Sequence, residues 1–216
     1  MKSPVILFDL DGTLIDSTEA ILESFGEAFG AHALPCPEAA VITKMIGMPL
    51  REMFLRLGVD NERADAFVAA YKAHYRKISR EKTVLLPGAK EAVETAAEFA
   101  RLGIVTTKTG RYSIDLLEHL ELMHFFETLV GSEDVRRHKP HPEPVFKALE
   151  RMGVSTKSVW LIGDTPMDVE AALAAGVNPF AVTCGYGQCE AFATRCRHIA
   201  PDAKTAVANI RSKSLL

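Results

Sequence analysis

A chain of 216 residues with 48% hydrophobic and 25% charged residues has the composition of a soluble globular enzyme and length enough for one full core plus a smaller satellite domain. A formal charge of −3 gives no basic footprint for nucleic acid, and no apolar run approaches the length of a membrane span. Lys2 is followed by only a four-residue apolar run before Asp9, too short for a signal-peptide core, so the expected location is cytoplasmic. Cys36, Cys184, Cys189 and Cys196 form no Cys-x-x-Cys pair and read as free thiols; a zinc site from Cys184, Cys189, Cys196 and His198 would have an unusual spacing.

Val5–Phe8 is a short β-rich run. The period of two along a strand turns Asp9 and Asp11 the same way at its exit, and Gly12 permits a tight turn. Two acids there repel each other unless a cation or a shared proton lies between them. Taken alone, these residues also fit an Asp-Gly turn with an incidental second acid. From Asp16 to Lys82 no strand is apparent. Glu19–Phe29, Pro37–Met45, Leu50–Leu57 and Glu62–Arg80 read as amphipathic helices. They suggest an inserted helical domain over 16–82, a lid or a rigidly packed subdomain, dividing a core made of 1–15 and 83–216. Beyond it, strand-like runs at Gly103–Thr107, Thr128–Val130, Ser158–Ile162 and Phe180–Thr183 each follow a helical segment. Those segments are Ala89–Arg101, Tyr112–Leu120, Glu143–Met152 and Met167–Ala175, with Gly103, Gly153 and Gly176 as stop signals and Asp202–Arg211 as a closing helix. The alternation predicts an α/β fold, a Rossmann-like parallel sheet flanked by helices, with an inserted all-helical cap.

In an open parallel sheet, ligands sit beyond the carboxyl ends of the strands. After the second main strand, Thr106-Thr107-Lys108-Thr109-Gly110 presents hydroxyls and N–H groups at a helix start, suited to a phosphate or to plain capping. After the third, Pro140 and Pro142 stiffen the loop Arg136-Arg137-His138-Lys139-Pro140-His141-Pro142 and can hold Lys139 in place. A fixed ammonium there would offset a carboxylate and a phosphoryl group together, while Arg136 and Arg137 read as surface charges and His138 and His141 lack an obvious metal partner. After the fourth, Gly163-Asp164-Thr165-Pro166-Met167-Asp168 places two acids near a helix start, where one can face inward as a ligand or both can serve the helix terminus.

Asp9-x-Asp11-Gly12-Thr13, Thr106, Lys139-Pro140 and Gly163-Asp164-x-x-x-Asp168 resemble the four ordered motifs of the haloacid-dehalogenase superfamily. With its helical insert, the chain is most similar to the phosphoglycolate-phosphatase-like branch, from residue 5 to about 210. The resemblance implies a phosphatase acting on a small phosphorylated metabolite. Asp9 would be the nucleophile forming an aspartyl-phosphate, and Asp11 the acid and base. Magnesium would be held by Asp9, Asp164 and the backbone carbonyl of Asp11. Thr106 and Lys139 would hold the phosphoryl oxygens. Asp168 would orient Lys139 or bind a metal-coordinated water, and Thr13 would support the loop. Gly12, Thr106, Thr107 and, from the cap, Arg51 form the expected substrate-binding set, with Lys44, Met48 and His74 as further cap candidates. Thr107 departs from the pattern, since many relatives carry Asn there. A phosphosugar mutase, an inorganic pyrophosphatase and a non-catalytic phosphate- or protein-binding module are the alternatives. Mutases usually carry a cap His near the position of Ile21, which favours hydrolysis.

Overall fold

The computed structural model describes residues 3–187 and 195–214. Strands β1 (Val5–Phe8) and β2 (Ile15–Asp16) lead into helices α1 (Thr18–Ala31), α2 (Ala39–Thr43), α3 (Leu50–Arg56) and α4 (Ala64–Ile78), which β3 (Val84–Leu85) closes. Helices and strands then largely alternate: α5 (Ala89–Ala97), β4 (Arg101–Val105), α6 (Gly110–His119), β5 (Phe126–Val130), α7 (Glu143–Met152), β6 (Val159–Gly163), α8 (Pro166–Ala175), β7 (Asn178–Val182), β8 (Ile199–Ala200) and α9 (Ala203–Ser214). Six strands form one sheet in the order β5-β4-β1-β6-β7-β8, and every neighbouring pair is parallel. This is the Rossmann-like α/β arrangement, extended by the short edge strand β8, which carries no sequence signal of its own.

Strand β1 reads Val-Ile-Leu-Phe because both faces of the sheet are covered, so no polar alternation survives. Val5 and Leu7 join a cluster with Val145 of α7 and Ala172 of α8, whereas Ile6 and Phe8 join one with Val93 of α5 and Val207 of α9. Alternate residues therefore anchor the two helical layers, and the strand ends in a fixed place between β4 and β6.

Gly153 and Gly176 end α7 and α8 in the left-handed region, at φ of 65° and 71°, as helix stops should. Gly103 is different. Helix α5 already ends at Ala97, and Arg101, read as its last residue, belongs to β4, where its guanidinium donates to Glu127 on the neighbouring strand. Gly103 lies inside that strand. A Cβ there would stand 2.8 Å from the Leu7 side chain and 2.9 Å from that of Thr128, so close packing rather than helix termination requires the glycine.

The helices between β2 and β3 pack around an aromatic group that is continuous with the buried cluster of Ile6 and Phe8. Phe25 packs on Phe54 at 4.7 Å between ring centres and on Tyr71 at 5.1 Å, and Phe29 meets Phe67 at 5.3 Å. The ends of this segment are tied together by an antiparallel ribbon pairing Ile15 with Leu85 and Asp16 with Val84, extended where Leu86 N–H donates to the Leu14 carbonyl. The expectation of no strand near these ends is corrected, because two-residue strands are too short to show a period.

Gly103→Ala should lower stability by about 1–3 kcal/mol in urea denaturation, the usual cost of forcing a methyl group into packed space. Unchanged stability would show that the Leu7 and Thr128 side chains leave room for a methyl group.

Candidate active site

The Asp9 N–H donates to the Ile162 carbonyl at 2.8 Å, which aligns the exit of β1 with that of β6. Gly12 adopts φ of +80°, and its N–H donates to the Ile15 carbonyl. A Cβ at Gly12 would lie 2.4 Å from Asp164 Oδ2, so the glycine also allows the first and last acidic loops to approach. Asp164 Oδ1 accepts from the Thr13 hydroxyl at 3.1 Å, and its Oδ2 accepts from the Tyr186 N–H at 2.7 Å. Asp168 lies in the first turn of α8, where its Oδ2 accepts from the Thr165 N–H and hydroxyl at 3.0 and 2.7 Å.

Lys139 reaches into this group from the loop before α7. Its Nζ lies 2.5 Å from Asp168 Oδ1 and 2.8 Å from Asp9 Oδ1, and it donates to the Val105 carbonyl at 3.0 Å. Carboxylate oxygens of Asp9, Asp164 and Asp168 all lie within 4.8 Å of one another. Three buried acids thus face one buried ammonium. Burial, with Asp168 and Asp164 adding to it and Lys139 opposing, pushes the Asp9 carboxyl well above the usual carboxylate range. Burial and the charge of Asp168 push Asp164 up to about 7, against the Tyr186 N–H and Thr13 hydroxyl. For Lys139 burial disfavours the charged form, but Asp168 and Asp9 outweigh it and hold the ammonium above its ordinary pKa.

The donor set fits a small hard cation. Two negative charges remain after Lys139 is counted, and all available donors are carboxylate oxygens. Asp168 accepts from Lys139 on one oxygen and from both the Thr165 N–H and hydroxyl on the other, whereas Asp164 accepts one hydrogen bond on each oxygen and Asp9 meets Lys139 through Oδ1, so Asp9 and Asp164 keep the greater lone-pair capacity for a metal. Asp11 is not in this cluster. Its carboxylate is held by Lys108 Nζ at 2.9 Å to each oxygen and by the Ser17 hydroxyl.

The loop after β4 carries the remaining core candidates. Thr106 is buried, with its N–H donating to the Val130 carbonyl and its Oγ1 accepting from the Lys108 N–H. The Thr107 hydroxyl donates to the Gly47 carbonyl at 2.8 Å, joining this loop to the segment between α2 and α3. Thr107, Lys108, Asp11, Met48 and Arg51 share the lining of a cavity of about 290 Å³ between the inserted helices and the sheet edge. Arg51 is already bound to Asp65 and Asn61, His74 pairs with Glu23, and Lys44 is exposed and outside the lining.

The cysteine and histidine set with the unusual zinc spacing is not among the groups that could hold a metal ion in the described residues: that group is Asp9, Asp164 and Asp168, Cys196 Sγ sits 3.0 Å from the His198 carbonyl, and Cys189 lies outside the described residues.

Sequence reasoning missed Lys108, Ser17, Tyr186 and Tyr75. Lys108 had a signal, since it sits in the flagged threonine loop. Its ammonium lies 4.8 Å from the centre of the Tyr75 ring, and although burial opposes the charge, Asp11 above all keeps its pKa raised. Ser17, Tyr186 and Tyr75 have no local pattern that marks them.

Residues 6–182 match the family model described as haloacid dehalogenase-like hydrolase. The chain belongs to this family. It is 34% identical over 179 residues to a protein named pyrophosphatase PpaX from Halalkalibacterium halodurans, covering 82% of each chain. To a protein named phosphoglycolate phosphatase from Escherichia coli O157:H7 it is 29% identical over 210 residues, covering 86% of this chain and 83% of the relative. A crystal structure of a haloacid dehalogenase-like hydrolase from Bacteroides fragilis aligns with a TM-score of 0.88 at 29% identity, over 94% of this chain and 99% of that one. The haloacid dehalogenase-like fold therefore extends over nearly the whole chain, inserted helices included. Among the described residues no helix is long and apolar enough to cross a membrane.

Lys139→Met should destabilise this haloacid dehalogenase-like hydrolase by about 3–5 kcal/mol in metal-free buffer, because it leaves buried acids without their cation. Urea unfolding monitored by circular dichroism checks it, and a cost below about 1 kcal/mol would show that Lys139 is not the group that neutralises the cluster.

Proposed function

We propose that the chain is a magnesium-dependent phosphatase that hydrolyses a small phosphorylated metabolite through a phosphoryl group carried on Asp9. The observation that carries this reading is the division of labour between two acids one residue apart. Asp9 is buried against Lys139 within the acidic cluster, whereas Asp11 turns to Lys108 and lines the cavity. This difference supports a role for Asp9 in attacking phosphorus and for Asp11 in exchanging a proton with the leaving group.

In the first half of the reaction an Asp9 oxygen bonds to phosphorus and the ester P–O bond breaks, with its electron pair departing on the alkoxide. Asp11 delivers a proton to that alkoxide. In the second half Asp11 takes a proton from water as the water attacks phosphorus, which releases phosphate and restores Asp9. Lys139 offsets charge on Asp9 and on the phosphoryl oxygens, and the Thr106 hydroxyl donates to one of those oxygens. Asp9, Asp164 and the Asp11 backbone carbonyl would hold magnesium, whose charge lets a phosphate approach the acids. Asp168 fixes Lys139, and Thr13 fixes Asp164.

In this reading residues 16–82 form a cap over a core of 1–15 and 83–216, closing on the β2–β3 ribbon and selecting substrates. The names of the relatives favour small phosphate compounds such as phosphoglycolate or pyrophosphate. Ile21, near whose position mutases of this family usually carry a His, lines the cavity and offers no acid-base group, which favours hydrolysis over transfer within a sugar phosphate.

The test is to mix each protein with magnesium and an acyl or aryl phosphate, quench in acid, and weigh the peptide containing Asp9. Wild type and Asp11→Asn should carry one added phosphoryl group, because a good leaving group needs little protonation. Asp9→Asn should carry none. Labelling of Asp9→Asn equal to wild type would overturn the covalent mechanism.

A further inference from the structure

The cavity between the inserted helices and the sheet edge is built for something other than a second small anion. At about 290 Å³ it is roughly twice the ~150 Å³ apolar cavity that accepts a benzene ring. Asp11 stands in its lining, where a leaving group would meet the proton carrier. Its walls include Ile46, Met48, Met53, Tyr71, Tyr75 and Tyr112. The Tyr71 and Tyr75 rings are nearly parallel, 5.6 Å apart and 10° from coplanar. The Tyr75 hydroxyl is buried without a hydrogen-bond partner among the described residues.

The charged groups of the lining are mostly committed. Arg51 is bound to Asp65 and Asn61, Lys108 to Asp11, and Glu133 to the Gly110 N–H. Lys72, half-buried on α4, is the one lining cation with no partner among the described residues. A two-carbon acid such as glycolate would leave most of the space as water against apolar walls. A ring would displace that water and gain the burial.

We propose that this cavity receives the leaving group of the substrate and that this group is a flat apolar ring, so that the substrate is a phosphate ester of an aromatic or similarly cyclic alcohol. The inference rests on the phosphatase reading. The chemistry is unchanged: the ester P–O bond breaks as the Asp9 oxygen bonds to phosphorus, the ring-bearing alkoxide takes the proton of Asp11, and water then releases phosphate.

The experiment compares kcat/KM for benzyl phosphate, methyl phosphate and phosphoglycolate in magnesium. All three leave as alkoxides, so the comparison is free of the activation an aryl leaving group brings. Benzyl phosphate should exceed each of the others by at least about tenfold, the discrimination an apolar pocket gives for a few carbon atoms. Val68→Phe and Met48→Phe, each filling one half-buried wall position, should erase most of that preference, read as the ratio of kcat/KM for benzyl phosphate to that for methyl phosphate. Equal or faster hydrolysis of phosphoglycolate or methyl phosphate would overturn the inference and leave the phosphatase reading standing, and so would an unchanged preference in both folded variants. Turnover of no ester at all would overturn both.

Discussion

The rest of the structure depends on the convergence of three buried carboxylates on a single ammonium. Carboxylates away from water resist ionisation, and each needs a cation or hydrogen bonds that replace its solvation. Lys139 bridges Asp9 and Asp168 and is itself anchored on the carbonyl of Val105, so the exit of β1, the exit of β4 and the start of α8 are fixed relative to one another. The parallel sheet makes this convergence achievable. Its adjacent strands β4, β1 and β6 all point their carboxyl ends to one edge, and glycines at 12 and 163 let the acidic loops close to within contact of Asp164 and Asp168. The incomplete neutralisation that results is a ready position for a divalent cation.

The inserted helices contribute through a second ion pair, between Lys108 and Asp11. Lys108 belongs to the loop after β4, yet its ammonium also lies against Tyr75 of α4. The Thr107 hydroxyl grips the Gly47 carbonyl of the insert. The Tyr186 hydroxyl stands 3.0 Å from the Thr18 hydroxyl at the start of α1. These links join the helices directly to the loops that carry Asp11 and Asp164, so the position of the insert and the geometry around the two acids are coupled. A ribbon only two residues long on each side supplies the covalent attachment.

The parts legible in the sequence were those whose physics is local. Asp9, Asp11 and Gly12 follow an apolar strand, Asp164 and Asp168 follow another, and Lys139 stands directly before Pro140, so each announces itself within a few residues. Gly153 and Gly176 were readable for the same reason, since a left-handed residue ends a helix whatever lies around it. Gly103 was misread because its requirement comes from Leu7 and Thr128, distant in sequence and adjacent only in the sheet. Arg51 read as a cap contact for substrate; it lines the cavity, and its bonds to Asp65 and Asn61 are invisible in the sequence because those partners meet it only in the fold. Lys108, Ser17 and Tyr186 act through partners whose proximity only the fold creates, and the β2–β3 ribbon is shorter than any period. The cavity is likewise a property of packing, contributed by residues of four helices and of the segments after β1, α2, β4 and β5.

The most direct measurement of the central claim is the melting temperature of chelated protein with and without added magnesium, at pH 5.5 and pH 8. Asp164 has its carboxyl raised to about 7 in the folded chain. The stability it contributes is therefore fully present below the unfolded carboxylate pKa near ~4 and is lost as pH rises through about 7. Metal-free protein should melt lower at pH 8 than at pH 5.5 on this account, and magnesium should raise the melting temperature at both, more at pH 8, where the ionised acids bind it. Asp164→Asn should remove most of the increment. A melting temperature indifferent to magnesium at pH 8, or an increment unaltered by Asp164→Asn, would contradict the claim that the acidic cluster is a cation site.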